Sequence, residues 1–124
     1  MKTSELTGAA LDWAVAKCEG VEVRWSAPHE QLLIEGKPYT VWNPHKNWAQ
    51  GGAIIEREGL TVEYLHDSRW LARHTTAKRH SRPIFGEGTT PLEAAMRCYV
   101  ASKLGDEVQI PDELTMLGER HGQS

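Results

Sequence analysis

The residues best equipped for chemistry cluster in one irregular stretch, Asn43-Pro44-His45-Lys46-Asn47-Trp48-Ala49-Gln50-Gly51-Gly52. Asn43, Asn47 and Gln50 carry amides that both donate and accept, His45 adds an imidazole, and Trp48 offers an indole face for stacking. Gly51 and Gly52 let a ligand approach the backbone closely, and ahead of a helical turn their N–H groups could face an anion. This loop is the first candidate for binding a ligand or a partner. The competing reading is a tight turn in which Trp48 covers the edge of the core, because a Gly-Gly pair alone lacks the context of a nucleotide-binding fingerprint.

Arg97 is the second candidate. It stands beside Ala94 and Ala95, small residues that admit another backbone, and a guanidinium there anchors either a carboxylate or an anionic ligand. An ordinary pair with Glu93, four residues earlier, is the alternative. A third candidate is the segment from Ser68 to Gly86, which holds Arg69, Arg73, Lys78, Arg79 and Arg82 and no acid. The rest of the chain carries nine basic against seventeen acidic residues. With Trp70 as a stacking surface, this cationic patch could meet phosphates, but a nucleic-acid footprint normally comes with a basic domain. His66, His74 and His80 are spaced unlike any compact metal motif and read as solvated loop histidines, so no metal or other cofactor is expected. Cys18 and Cys98 are expected on buried helix faces, where a thiol is inert and no disulfide framework forms.

One domain is expected from 124 residues, with a hydrophobic share of 40% and a net charge of -3. No apolar run approaches a membrane span and no signal-peptide pattern opens the chain, so a cytoplasmic location is expected.

The elements that must position these side chains are legible in part. Thr7 is a natural N-cap for a helix in which Leu6 staples onto Leu11, Val15 and Cys18 continue the stripe, and Gly20 ends the run. Val21–Trp25 alternates as a strand. Leu32-Leu33-Ile34 starts a second, a turn follows at 35–38, and Tyr39–Trp42 carries on as a short strand or edge. Periodicity is lost from Asn43 to Ala53, and Ile54–Glu58 reads as one or two helical turns closed by Gly59. Leu60–Leu65 and Arg69–Arg73 form a hairpin around His66-Asp67-Ser68. The stretch from His74 to Gly88 reads as a mobile loop with an edge strand near Ile84-Phe85. Thr90-Pro91-Leu92-Glu93 is a T-x-x-E capping box with proline at the first helical position, opening a helix that Gly105 stops. An extended tail to Leu114 and a disordered end at 115–124 complete the expectation. The sum is an α+β fold, an α/β sandwich with two main helices packed on a small, mainly antiparallel β-sheet, forming a single domain over 1–114.

Three blocks carry a family resemblance: Ser4-Glu5-Leu6-Thr7-Gly8-Ala9-Ala10-Leu11-Asp12-Trp13-Ala14-Val15-Ala16-Lys17, Asn47-Trp48-Ala49-Gln50-Gly51-Gly52-Ala53-Ile54-Ile55-Glu56, and Thr90–Arg97 continuing to Gly105-Asp106-Glu107-Val108. In this order they resemble the NinX-like small phage proteins, a family of unknown function, and more broadly the phage α/β-sandwich domains. The chain departs from that pattern at Asn47, in place of Asp, and at Asn43-Pro44-His45-Lys46, in place of Tyr and Ser/Thr-rich residues.

The resemblance implies a phage or prophage accessory protein acting in the bacterial cytoplasm. No carboxylate pair, metal set or activated nucleophile stands out, so a non-enzymatic binding protein acting on a host factor is the leading expectation. The alternative is a small-ligand binder that sequesters a nucleotide-type defence signal, with Trp48, Gln50 and Arg97 converging on a small anionic ligand. A nucleic-acid-associated protein comes third. Homo-oligomerisation through an exposed sheet edge is compatible with each.

Overall fold

The helix marked most clearly in the sequence is also the centre of the structure, a computed structural model that describes residues 1–74 and 83–115. This helix runs from Pro91 to Leu104 and is α3 of the helices below. Its cap forms as the motif dictates, with Thr90 Oγ1 accepting from the Glu93 N–H at 3.0 Å. The reciprocal bond lands one residue early: the Glu93 carboxylate accepts from the N–H of Thr89, at 2.9 Å, rather than from that of Thr90.

Three antiparallel strands, β3 (Thr61–His66), β4 (Arg69–His74) and β5 (Ile84–Gly88), form a sheet in that order, and α3 packs on it. Asp67 and Ser68 turn the β3–β4 hairpin with φ of 47° and 60°, the left-handed pair a two-residue hairpin loop demands. β5 approaches α3 unusually closely. A Cβ on Gly86 would stand 2.4 Å from Cys98 N and 2.5 Å from Ala94 O, so Gly86 and the small residues of α3 are complementary halves of one contact.

On the other side of the chain's order, α1 (Gly8–Glu19) packs against α3, with Leu6, Leu11 and Val15 fully buried. Gly20 ends it in the left-handed conformation, as expected. β1 (Val23–Ser26) pairs antiparallel with β2 (Gln31–Ile34) as a separate two-stranded sheet, so the strands divide into two sheets rather than one. The strand expected at 39–42 does not form. Tyr39 takes φ of 43° directly after Pro38, which breaks the extended geometry and leaves a single bridge between Val41 and Leu33.

The largest departure is α2, which runs from Trp48 to Glu58 and takes in most of the stretch expected to be loop. Asn47 is its N-cap: Asn47 Oδ1 accepts from the N–H groups of Ala49 at 2.9 Å and Gln50 at 3.3 Å. After α3 the chain returns beside its own beginning, where Thr3 donates from its N–H to Asp106 O at 2.8 Å and from Oγ1 to Gly105 O at 2.6 Å. The tail is not extended to its end, because a helical turn at 112–115 buries Leu114. Among the described residues, no helix is long and apolar enough to cross a membrane.

Candidate functional site

Asp12 lies on the buried face of α1, between Leu11 and Val15, and its side chain is only 3% exposed. A carboxylate there requires partners, since burying an unpaired charge is prohibitively unfavourable. The loop before α2 supplies them. The His45 N–H donates to Asp12 Oδ1 at 2.9 Å, and His45 Nδ1 meets Asp12 Oδ2 at 2.5 Å. Trp42 Nε1 closes the attachment by donating to the Asp12 carbonyl at 2.9 Å. Burial pushes the Asp12 carboxyl above its ordinary pKa, with the hydrogen bonds and charge of His45 and the charge of Lys46 working against it.

The rest of the loop holds this contact in place. The Asn43 N–H donates to Gln50 Oε1 at 2.8 Å, and Gln50 Nε2 donates to the Val41 carbonyl, also at 2.8 Å. Pro44 is buried, and its carbonyl sits where a Cβ on Gly51 would be, 2.4 Å away. Gly51 and Gly52 are therefore not an anion cradle. They lie inside α2, and the first free N–H groups of that helix are already capped by Asn47, so its N-terminus has little left to offer an anion.

Because an ionised carboxylate only accepts, Nδ1 of His45 carries the proton and Nε2 is left over, the logic by which an aspartate fixes a histidine tautomer. His45 is 24% exposed and lines a groove of about 550 Å³ together with Gly8 and Ala9 at the head of α1, Trp25, Glu30 and Lys46. A pocket of about 70 Å³, lined by Asp12, Glu30, Asn43 and His45 among others, adjoins it. Asn43 Oδ1 is buried there with no hydrogen-bond partner among the described residues. At the head of α1, the Thr7 hydroxyl makes no capping bond, and Gly8 takes φ of 53°, a conformation glycine adopts freely. One face of the groove thus combines an ammonium and an uncapped helix start, both favourable to negative charge, with the His45 ring beside them and Glu30 opposing them.

The family model for bacteriophage P22 NinX matches residues 2–103, which include α1, the His45 loop and almost all of α3. The chain belongs to this family. No curated protein matches the chain.

In this NinX-family chain the other expected site residues are dispersed. Trp48 is exposed on the first turn of α2, its ring 3.4 Å from the place a Cβ on Gly52 would take. Arg97 serves as a structural tie: its Nε donates to Leu6 O at 2.8 Å and its Nη1 to Glu87 O at 2.7 Å, with Glu93 at 3.5 Å. It lines a second groove, beside Phe85 and Lys2, so the described grooves do not join it to Trp48 and Gln50. Trp70 lies on β4, edge-to-face against Tyr64 with ring centres 5.2 Å apart. In the basic segment, Arg69 pairs with Glu87 and Arg73 is half-buried, while Lys78, Arg79 and Arg82 lie outside the described residues.

His74 is not a solvated loop histidine. It ends β4 in a buried position, with Nε2 3.3 Å from Glu58 Oε1. His66 is exposed beside Asp67, and His80 lies outside the described residues. Burial pushes both Cys18 and Cys98 up to about 12, leaving them as inert thiols. A polar clasp joins the far ends of α1 and α2 to α3: Arg57 grips both oxygens of Glu19 at 2.9 and 2.7 Å, and Tyr99 OH donates to Glu19 at 2.5 Å.

Asp12, Trp25, Glu30 and the head of α1 are parts of the site that sequence reasoning missed. Asp12 had a signal, since it interrupts an apolar helix stripe one residue after Leu11 and three before Val15, and a carboxylate on that face needs a partner from elsewhere. Glu30 had none, because its place in the groove depends on the turn between β1 and β2.

Proposed function

We propose that this phage accessory protein acts by binding rather than by catalysis, and that the groove between the head of α1 and His45 receives a small anionic ligand of the nucleotide type. The observation that carries the reading is the Asp12-held His45 at the wall of a 550 Å³ groove, a size suited to such a ligand. A phosphate fits best beside Lys46 and the start of α1, next to His45, since its three oxygens can take several donors at once. The Trp25 indole offers a surface for a base, and Glu30 an acceptor for hydroxyls. Among the described residues the His45 ring hydrogen-bonds to the Asp12 carboxylate and to no hydroxyl or thiol.

A second reading, in which the protein docks on a host factor in the bacterial cytoplasm, is favoured by a different observation. Trp48 and Tyr39 are 58% and 62% exposed, and large exposed aromatics are frequent anchors at interfaces. A nucleic-acid role has weaker support, because Arg69 is already neutralised by Glu87.

The test is a thermal-shift and calorimetric series with AMP, cyclic dinucleotides and ADP-ribose on wild type, Lys46→Ala and Trp48→Ala. The groove reading expects saturable stabilisation that weakens in Lys46→Ala and survives in Trp48→Ala. No shift with any of the three probes overturns it and moves the host-factor reading to the front.

A further inference from the structure

We propose that His45 grips the ligand's phosphate as an imidazolium, so that capture in the groove takes up one proton and tightens as the pH falls. The inference rests on the groove reading above and adds a regulation to it. Both oxygens of the Asp12 carboxylate are bonded to His45, one to its backbone N–H at 2.9 Å and one to ring Nδ1 at 2.5 Å. That bond survives protonation of the ring, because Nδ1–H donates in either state. A second proton on the ring goes to Nε2 alone. Protonation thus leaves the loop where it stands and converts Nε2 from an acceptor, useless to an anion, into a charged donor.

The charged groups facing the ring come from three elements. Asp12 from α1 and Glu30 from the β1–β2 turn bring negative charge to its surroundings, and Lys46, next in the loop, brings positive charge. The Met1 amine, also at the groove, is engaged by Val108 O at 3.0 Å and Glu107 at 3.4 Å. An anion placed between Lys46 and a protonated His45 is attracted to both. By linkage, a ligand that favours the protonated ring must itself bind more tightly to it. Above the His45 midpoint, affinity falls by about tenfold per pH unit if one proton is taken up.

The experiment uses the full chain and two probes, AMP and inorganic sulfate. Sulfate does not titrate over the working range and reports on the protein alone. Binding is measured by calorimetry across neutral and mildly acidic pH, in buffers of differing ionisation heat, with the His45 ring followed by NMR. The expected result is proton uptake near one, an upward move of the His45 midpoint on adding sulfate, and loss of the pH dependence in His45→Gln. Asp12→Asn supplies a second arm: an amide can turn its NH2 toward Nδ1, moving the ring proton to Nε2, and should flatten the pH profile while the fold is retained. The wild-type NMR midpoint stands even if that variant fails to fold. Binding of AMP or sulfate with no proton uptake and no shift of His45 overturns the inference and leaves the groove reading intact. Binding of neither probe at any pH overturns the inference, and the groove reading falls with it when cyclic dinucleotides and ADP-ribose also give no shift.

Discussion

Gly51 and Gly52 are neighbours in α2, yet alanine at the two positions should move stability in opposite directions. In a helix interior alanine is favoured over glycine by about 1 kcal/mol. At Gly52 the new Cβ meets only the Trp48 ring, at 3.4 Å, and that exposed ring can yield. Gly52→Ala should therefore stabilise by about 0.5–1 kcal/mol. At Gly51 the Cβ arrives 2.4 Å from Pro44 O and 2.7 Å from Leu92 Cδ2, both in buried residues. Relief requires the Pro44 carbonyl to retreat by about 1 Å, and His45 is the next residue. Overpacking of this kind costs about 1–3 kcal/mol, which outweighs the propensity gain and leaves Gly51→Ala destabilised by about 1–2 kcal/mol. Urea unfolding of both variants gives the sign directly, and the His45 ring signals report whether the Asp12 contact is displaced. If Gly51→Ala proves as stable as Gly52→Ala, the account of this pair as a packing device for the His45 loop is wrong.

Gly86→Ala presents a harder clash, because both atoms within 2.5 Å of its Cβ belong to the α3 backbone and no side chain can step aside. It should destabilise by about 3 kcal/mol or more, and a melting temperature near wild type would refute the close approach of β5 to α3. Thr90→Ala removes the N-cap of α3 and should destabilise by about 1 kcal/mol, whereas Thr90→Ser should be nearly neutral; equal chemical-denaturation midpoints for the two would count against the cap. Hydrogen bonds from Arg57 hold the Glu19 carboxyl below the usual carboxylate range, against the opposing effect of burial. A lowered folded pKa means stability that is present above the unfolded value of about 4.3 and is lost as the pH falls through the folded one. Arg57→Leu should accordingly flatten the acid limb of melting temperature against pH, and an unchanged slope would exclude that origin. Trp48→Ala should change stability by less than about 0.5 kcal/mol, so a loss of partner capture in that variant reports on docking rather than folding.

The helix Pro91–Leu104 was legible because its signals are local. A Thr-to-Glu cap, a first-turn proline and a terminal glycine act within a few residues of the bonds they make. The β3–β4 hairpin was legible for the same reason, since Asp67 and Ser68 supply the turn and the alternation on either side supplies the strands. Tertiary structure decided the rest. α2 continues through Gly51-Gly52 against propensity, and at Gly51 the Pro44 carbonyl and Leu92 occupy the space a side chain would need. Tyr39–Trp42 alternates like a strand, yet the backbone after Pro38 turns away and leaves one bridge. Arg97 reaches Leu6 and Glu87, and Asp12 meets His45 across 33 positions of sequence. Local preference reaches about one helical turn, whereas pairings between distant polar groups exist only once apolar burial has brought their elements together and removed the water that would otherwise have satisfied them.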